Sequence, residues 1–355
     1  MLAGPYCGLL LADLGAEVVK IESGTGDIGR DTGPHRVGPH NVYFSSLNRG
    51  KKSVRLDLKS PHDRPRFEAL VASADALLTN LRPAAIDRLG LTYDALRGIN
   101  PRLVCVALTG FGMHGPYRDR PAYDYIVQAL TGVMMLTGEP DAGPTRAGYS
   151  VVDNTGGMMA AIGLLAQLVS GRGGQIDVSL YDTLLSQLNY LAAAWLNADE
   201  APVRHPAGGH AYFVPAQIFA TADGHVALFI THDDFWRKFC TAVGRPEWIE
   251  DPRFATMRAR TAHRTHVVAS VAAVLATRGT SEWVALLQPE GLVIAGVHTL
   301  MDALACEQTL AREMIVEVAT PQGVLRLVGN PIKDGHAAPD TPAPLLGEHT
   351  DALCG

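Results

Sequence analysis

The residue in this sequence best suited to covalent chemistry is an aspartate at the head of a long apolar stretch. Asp153 stands immediately before Asn154-Thr155-Gly156-Gly157, and from Gly156 to Leu168 the apolar residues recur at helical spacing. A carboxylate at a helix start can be an N-cap, accepting a backbone N–H and complementing the helix dipole. It can also be a nucleophile, kept ionised there, with the following glycines clearing space for a bulky substrate. The two roles are compatible, and backbone N–H groups at the start of the same helix are candidates to stabilise an oxyanion. Two basic segments accompany the aspartate. Asn48-Arg49-Gly50-Lys51-Lys52 precedes a strand, and Arg82 and Arg88 bracket Leu81 to Leu89. Either alone reads as a solvated turn. Together on one edge of an α/β sheet they can hold phosphates, because ligands collect at strand carboxyl ends.

Other chemistries lack their signatures. Gly24-Thr25-Gly26-Asp27-Ile28-Gly29 matches G-x-G-x-x-G, but Arg30 to Pro39 is broken by Gly33, Pro34, Gly38 and Pro39 where a dinucleotide site needs a helix. The match is a loop, and no nicotinamide cofactor is expected. There is no Walker A sequence and no G-x-S-x-G elbow. His35 with His40, and His205 with His210, have a spacing that zinc can use, yet no cysteine pair or second histidine pair stands nearby, so no metal is expected. With 30 Lys and Arg against 36 Asp and Glu, the net charge of −6 argues against a nucleic-acid partner. The five cysteines are scattered, as in a reducing compartment. The longest apolar helical stretch, Met158 to Val169, is too short to cross a bilayer, and Asp13 interrupts the first apolar run with no basic residues before it. The expectation is a cytoplasmic protein with no membrane contact.

The elements that must position Asp153 follow from periodicity. Glu17 to Glu22, Ser53 to Leu58, Ala76 to Thr79 and Leu103 to Leu108 read as strands, with helices at Pro61 to Ser73 and Tyr93 to Arg97. This alternation predicts βαβ units and a largely parallel sheet. Helices are expected over Tyr123 to Leu136, Gly156 to Leu168 and Tyr181 to Asn197, with a strand at Gln175 to Leu180. The Pro-, Gly- and His-rich run from Ala201 to His210 reads as a linker. A second unit follows to Cys306, and a tail with strands near Val316 and Leu325 can return to the first domain.

Read together, these segments resemble class III CoA-transferases, the formyl-CoA transferase or CaiB/BaiF-like family whose relatives include the α-methylacyl-CoA racemases. The resemblance is carried by Ala3-Gly4-Pro5-Tyr6-Cys7 with Leu11 to Glu22, Leu47 to Ser53, Leu56-Asp57-Leu58, Asn80-Leu81-Arg82-Pro83 and Asp87 to Leu91. It continues through Asn100 to Val104, Thr109 to Gly112, Gly115-Pro116-Tyr117, Tyr123-Asp124, the Asp153 segment, Gly171 to Gln175 and Leu346-Gly347-Glu348-His349-Thr350.

The resemblance implies an α/β fold and an interlocked homodimer: a Rossmann-like large domain with a parallel sheet, plus a smaller α/β domain. On this sequence the large domain covers 1–200 and is completed by 320–355, with a linker at 201–211, a small domain at 212–306 and a return linker at 307–319. The implied activity moves CoA from an acyl-CoA donor, succinyl-CoA being one candidate, to a small carboxylic acid through an aspartyl-CoA thioester on Asp153. CoA and acyl-CoA are then substrates. Their implied contacts are Asn80, Leu81, Arg88 and Leu89, with Arg82 beside them and Asn48, Lys51 and Lys52 close by. Tyr123 and Asp124 lie near the substrate or position Asp153, unless Tyr123 merely packs at a helix start. Tyr123 occupies the place of the racemase histidine and is a poor base at neutral pH, so transfer is favoured over an α-methylacyl-CoA racemase-like isomerisation. An inactive CoA-binding homologue is the other alternative. Relatives carry a further N-terminal stretch with the first β-strand, so this chain is expected to lack that central strand and to leave sheet edges unpaired. Acceptor specificity is expected around His205 to Tyr212.

Overall fold

The computed structural model of the chain describes residues 1–333, 335 and 339–355. They form two compact units, one made of Met1–Thr131, Ala147–Asn189 and Leu304–Gly355, the other of Gly132–Arg146 and Tyr190–Ala303. The first runs α1 (Ala3–Asp13), β1 (Val19–Glu22), α2 (Val42–Asn48), β2 (Lys52–Arg55), α3 (Arg64–Ser73), β3 (Ala76–Thr79), α4 (Pro83–Leu89), β4 (Val104–Thr109) and α5 (Asp124–Leu130). After α6 (Val133–Leu136), which belongs to the second unit, come α7 (Val151–Val169), β5 (Gly174–Ser179) and α8 (Leu180–Gln187). The second unit continues with α9 (Asn189–Ala198), β6 (Ala216–Ala220), β7 (His225–Phe229), α10 (Asp233–Ala242), α11 (Arg264–Leu275), α12 (Thr280–Leu287) and β8 (Val293–Gly296). The hairpin of β9 (Ile315–Thr320) and β10 (Gly323–Val328) lies in the first unit.

The fold is mixed α/β with parallel sheets. β4 lies between β3 and β5, parallel to both, with Val104 opposite Ala76 on one side and Gly174 on the other. All six β4 residues are buried, which explains its continuous apolar run. β1 and β2 form a separate parallel pair. In the second unit β8, β7 and β6 form an antiparallel sheet. Its core gathers Trp236, Phe239, Phe254, Val271 and Trp283.

Several boundaries differ from the sequence expectation. The predicted helix from Tyr123 to Leu136 is broken at Gly132, whose φ of 84° suits a residue without a Cβ. Residues 132–146 and 190–200 fall in the second unit, and 307–319 folds into a helix at Glu307–Ala311 and the start of β9 instead of a linker.

Three packing devices set the frame around Asp153. Gly156 and Gly157 are buried inside α7. A Cβ on Gly157 would stand 2.7 Å from the Ala3 carbonyl oxygen and 3.2 Å from the Cys7 nitrogen, and one on Gly156 would meet the Leu180 side chain. These glycines therefore let α1 and α8 pack on α7 and open no space for a substrate, contrary to the sequence reading. The third device closes an edge. The Ser53 N–H donates to His349 Nδ1, the Ser53 carbonyl accepts from the His349 N–H, and the Arg55 N–H donates to Thr350 Oγ1. The Leu346 to Thr350 segment thus covers the outer edge of β2, which would otherwise present unpaired backbone groups.

Because α1 meets α7 through backbone at Gly157, Gly157→Ala is expected to destabilise the protein by about 1–3 kcal/mol through overpacking. Urea denaturation against wild type measures the loss. An unchanged midpoint would show that α1 yields freely at this contact.

Candidate active site

Asp153 is the third residue of α7, which begins at Val151, and its own side chain caps nothing. The cap comes from Asp124, the first residue of α5. Its Oδ2 accepts the backbone N–H groups of Val152 at 2.8 Å and Asp153 at 3.2 Å. Its Oδ1 accepts from Gln128 Nε2 at 2.6 Å, and Gln128 Oε1 in turn accepts the Ala147 N–H at 2.9 Å. A carboxylate at a helix N-terminus is favoured by the dipole and by the unpaired first-turn donors. The N-cap reading of Asp153 is therefore corrected: the cap is Asp124, reaching in from another helix. Because Asp124 already occupies the first N–H groups of α7, those groups are not the oxyanion donors that the sequence reading put there.

This arrangement leaves the Asp153 carboxylate without a hydrogen-bond donor among the described residues, partly buried and near a second carboxylate. Its pKa is pushed up to about 6, first by burial and then by the charge of Asp124. The group remains mostly ionised at neutral pH yet is poorly solvated, a condition that suits a nucleophile. The Tyr43 phenol, on α2, is raised by burial and then by the charges of Asp153 and Asp27. Neither Gln128 nor Tyr43 was singled out from the sequence. Gln128 carried a readable signal, since it lies one turn beyond Asp124 on the same helix.

Tyr123 precedes α5 and is 70% exposed, so it does not pack at the helix start. Its neighbour Asp124 is buried. The two residues of one motif thus face different surroundings.

The basic segments divide. Lys51 is buried, and its Nζ donates to the carbonyls of Pro5 and Leu47, both at 2.7 Å, and to Asn48 Oδ1 at 3.0 Å. Burial, reinforced by Lys20, holds its pKa well below the usual lysine range. Asn48 is buried too and spends its amide on the Phe44 carbonyl. Arg49 pairs with Asp13 in the interior. Lys52 reaches Glu17 at 2.6 Å on the surface. Asn48 and Lys51, expected beside CoA, are thus turned inward, because the loop places them under α1, where backbone carbonyls need donors. Asn80, Leu81, Arg82 and Arg88 remain exposed around the start and flank of α4, with Leu89 half-buried. No group of three or more His, Cys, Asp or Glu side chains able to hold a metal occurs among the described residues. No helix among them is long and apolar enough to cross a membrane.

A family model described as CoA-transferase family III matches residues 1–350. The acetyl-CoA:oxalate CoA-transferase of Acetobacter aceti is 37% identical, with 99% of this chain and 92% of that protein covered. The succinate–glutarate CoA-transferase of Agrobacterium fabrum is 32% identical, covering 98% and 90%. Among solved structures, a CaiB/BaiF family protein from Brucella suis aligns with a TM-score of 0.85 at 34% identity, covering 99% of this chain and 94% of that one. Rv3272 from Mycobacterium tuberculosis aligns with a TM-score of 0.88 at 30% identity, covering 99% and 95%.

The carboxylate pair makes a signed prediction. Asp124→Asn removes the negative charge while keeping an acceptor oxygen for the α7 N–H groups. Asp153, whose pKa is pushed up to about 6, then becomes easier to ionise, so the acid limb of the rate profile is expected to move to lower pH by about one unit. Profiles of kcat/KM from pH 4 to 8, which report ionisation in the free enzyme, read the shift. A limb that stays in place would mean that Asp124 does not set the charge of Asp153.

Proposed function

The chain belongs to CoA-transferase family III and is an enzyme that moves CoA from an acyl-CoA to a carboxylic acid; from that premise we propose that Asp153 is its nucleophile. The observation that carries the proposal is a single poorly solvated carboxylate, repelled by Asp124 and held at a fixed point by two backbone hydrogen bonds to that neighbour.

The reaction divides into four balanced steps. The Asp153 carboxylate attacks the thioester carbonyl of the donor, forming a mixed anhydride and releasing CoA thiolate. The thiolate attacks the aspartyl carbonyl, giving an aspartyl-CoA thioester and the free donor acid. The acceptor carboxylate attacks that thioester, forming a second mixed anhydride and releasing the thiolate again. The thiolate closes on the acceptor acyl carbon, and Asp153 is regenerated as a carboxylate. Acylation also neutralises Asp153, relieving the burial and repulsion that raise its pKa. A shift from the usual carboxylate value to about 6 corresponds to a ground-state penalty on the order of 3 kcal/mol. That penalty weighs on the free enzyme and lifts once the first bond forms.

The exposed Asn80, Leu81, Arg82 and Arg88, with Leu89, are the proposed CoA contacts, Arg82 and Arg88 supplying charge for phosphates. Short-chain donors such as succinyl-CoA or acetyl-CoA, with a small mono- or dicarboxylic acceptor, are supported by the names of the relatives. All five cysteines are unpaired, which supports a cytoplasmic enzyme. A homodimer is supported by the outward face of α7. Met159, Ile162 and Val169 are 45%, 59% and 89% exposed there, with Met158 and Leu165 beside them. A contiguous apolar helix face of this kind marks an interaction surface.

Two experiments test these readings. Incubation with acetyl-CoA or succinyl-CoA, followed by hydroxylamine trapping and intact-mass analysis, is expected to give an adduct that maps to Asp153, on a chain carrying five free thiols. Turnover without any adduct at Asp153 would sink the nucleophile. Ile162→Arg is expected to convert a dimer to a monomer in size-exclusion chromatography with light scattering. A variant that elutes at the wild-type mass would rule this face out.

A further inference from the structure

The segment that joins the two carboxylates is held by an arginine from elsewhere in the chain. Residues 132–146 connect α5, which carries Asp124, to α7, which carries Asp153, and they belong to the second unit. Beyond the short α6 this connector has little regular structure, so most of its carbonyls need partners from outside a ladder. Arg204 supplies them. Its Nε donates to the Met135 carbonyl at 2.7 Å. Its Nη1 donates to the carbonyls of Glu139, Ala142 and Gly143 at 3.0, 2.8 and 3.2 Å, and its Nη2 to that of Met134 at 3.2 Å. Five carbonyls converge on one guanidinium, three of them sharing the two N–H groups of Nη1. The connector answers in kind, since Glu139 Oε1 accepts the Ala207 N–H at 3.0 Å. The fit leaves little slack. Gly138 has φ of +98°, and a Cβ there would lie 2.9 Å from Thr145 Oγ1 and 3.9 Å from Arg204 Nη1.

We propose that Arg204 is a positioning residue for the transfer reaction: by folding the connector into one shape it fixes the spacing between Asp124 on α5 and Asp153 on α7. The proposal rests on Asp153 as the nucleophile. The physical case is geometric. The connector's two ends continue directly into the helices that bear the carboxylates, and Ala147, its first neighbour on the α7 side, is held by Gln128 of α5. A loose connector would weaken the hold of Asp124 on the α7 N-terminus, where its bonds to Val152 and Asp153 act together with the Gln128–Ala147 bond at the connector's end. A planar fork is required for this task. Lysine offers three donors from a single point and cannot span five carbonyls spread over the Met134 to Gly143 turn.

The test uses Arg204→Lys in the full-length enzyme, which keeps the charge and removes the fork. Displacement of catalytic groups by about 1 Å costs up to about 10²-fold. The expected result is therefore a kcat lower by about ten-fold or more, with KM for acetyl-CoA or succinyl-CoA within about two-fold. Two further readouts separate positioning from a general loss of fold. The acid limb of the rate profile moves below its wild-type place as the two carboxylates separate, and backbone hydrogen exchange rises over residues 133–145. Tryptophan fluorescence, to which Trp236, Trp248 and Trp283 of the second-unit core contribute, reports whether that core is intact. Should Arg204→Lys fail to fold, Glu139→Ala removes only the reciprocal bond to Ala207 and must show the same limb shift with a smaller loss of kcat. A folded Arg204→Lys, or Glu139→Ala in its stead, with wild-type kcat and an unmoved acid limb overturns the proposal. An inactive Asp153→Asn beside it would leave the nucleophile standing. Full turnover by Asp153→Asn would remove the nucleophile and this proposal together.

Discussion

Everything at the centre of this molecule depends on one carboxylate capping a helix that is not its own. Asp124 takes the first two free N–H groups of α7 and so sets where that helix starts. It also determines what Asp153 is. A self-capping aspartate would sit low on the pKa scale, stabilised by the donors it accepts. With the donors already taken, Asp153 keeps its charge without compensation, beside the charge that displaced it. The proposed nucleophile and its restraint are two copies of the same side chain, separated in role by which one holds the backbone.

The polar motifs that resemble a ligand-binding surface serve the interior to an unusual degree. Lys51 satisfies the carbonyls of Pro5 and Leu47, and Arg49 is committed to Asp13. A buried pair of this kind contributes little net stability and is costly to break singly. Glu22 gathers Arg30, Ser53 and the Asp27 N–H in one cluster. The guanidinium of Arg30 lies over the Phe44 ring and donates to the Pro344 carbonyl. The basic run from Asn48 to Lys52 is therefore mostly architecture. What stays outside, around α4, is a smaller set of cations than the sequence shows.

Much of this was legible in the residues. Strand–helix alternation located β1, β2, β3 and β4 to within a few residues, and the plainest signal was the continuous apolar run of β4, which is buried along its whole length. The place of Asp153 in the first turn of a long apolar helix was legible, and the G-x-G-x-x-G run was legible as opening no long helix. What escaped was long-range. Nothing in the spacing of Asp124 and Asp153 says which of them accepts the α7 N–H groups. Nothing around Arg204, in a stretch that reads as a linker, announces five carbonyls from a distant turn. The glycines at 156 and 157 were visible but misread, since the lack of a side chain serves a close helix contact as well as it serves an open cleft.

The strip from Thr341 to Thr350 has a consequence for how the chain is made. It donates to or accepts from Arg30, Gly50, Ser53 and Arg55, residues from the opposite end of the sequence. A ribosome delivers those early residues long before the strip that covers them. Through most of translation β2 therefore waits with an open edge, while the intervening second unit, whose long segment is contiguous from Tyr190 to Ala303, can already collapse. Nascent chains in that interval are exposed to strand addition by one another. The edge of β2 is thus guarded by residues that reach it only after the second unit's long segment has been made.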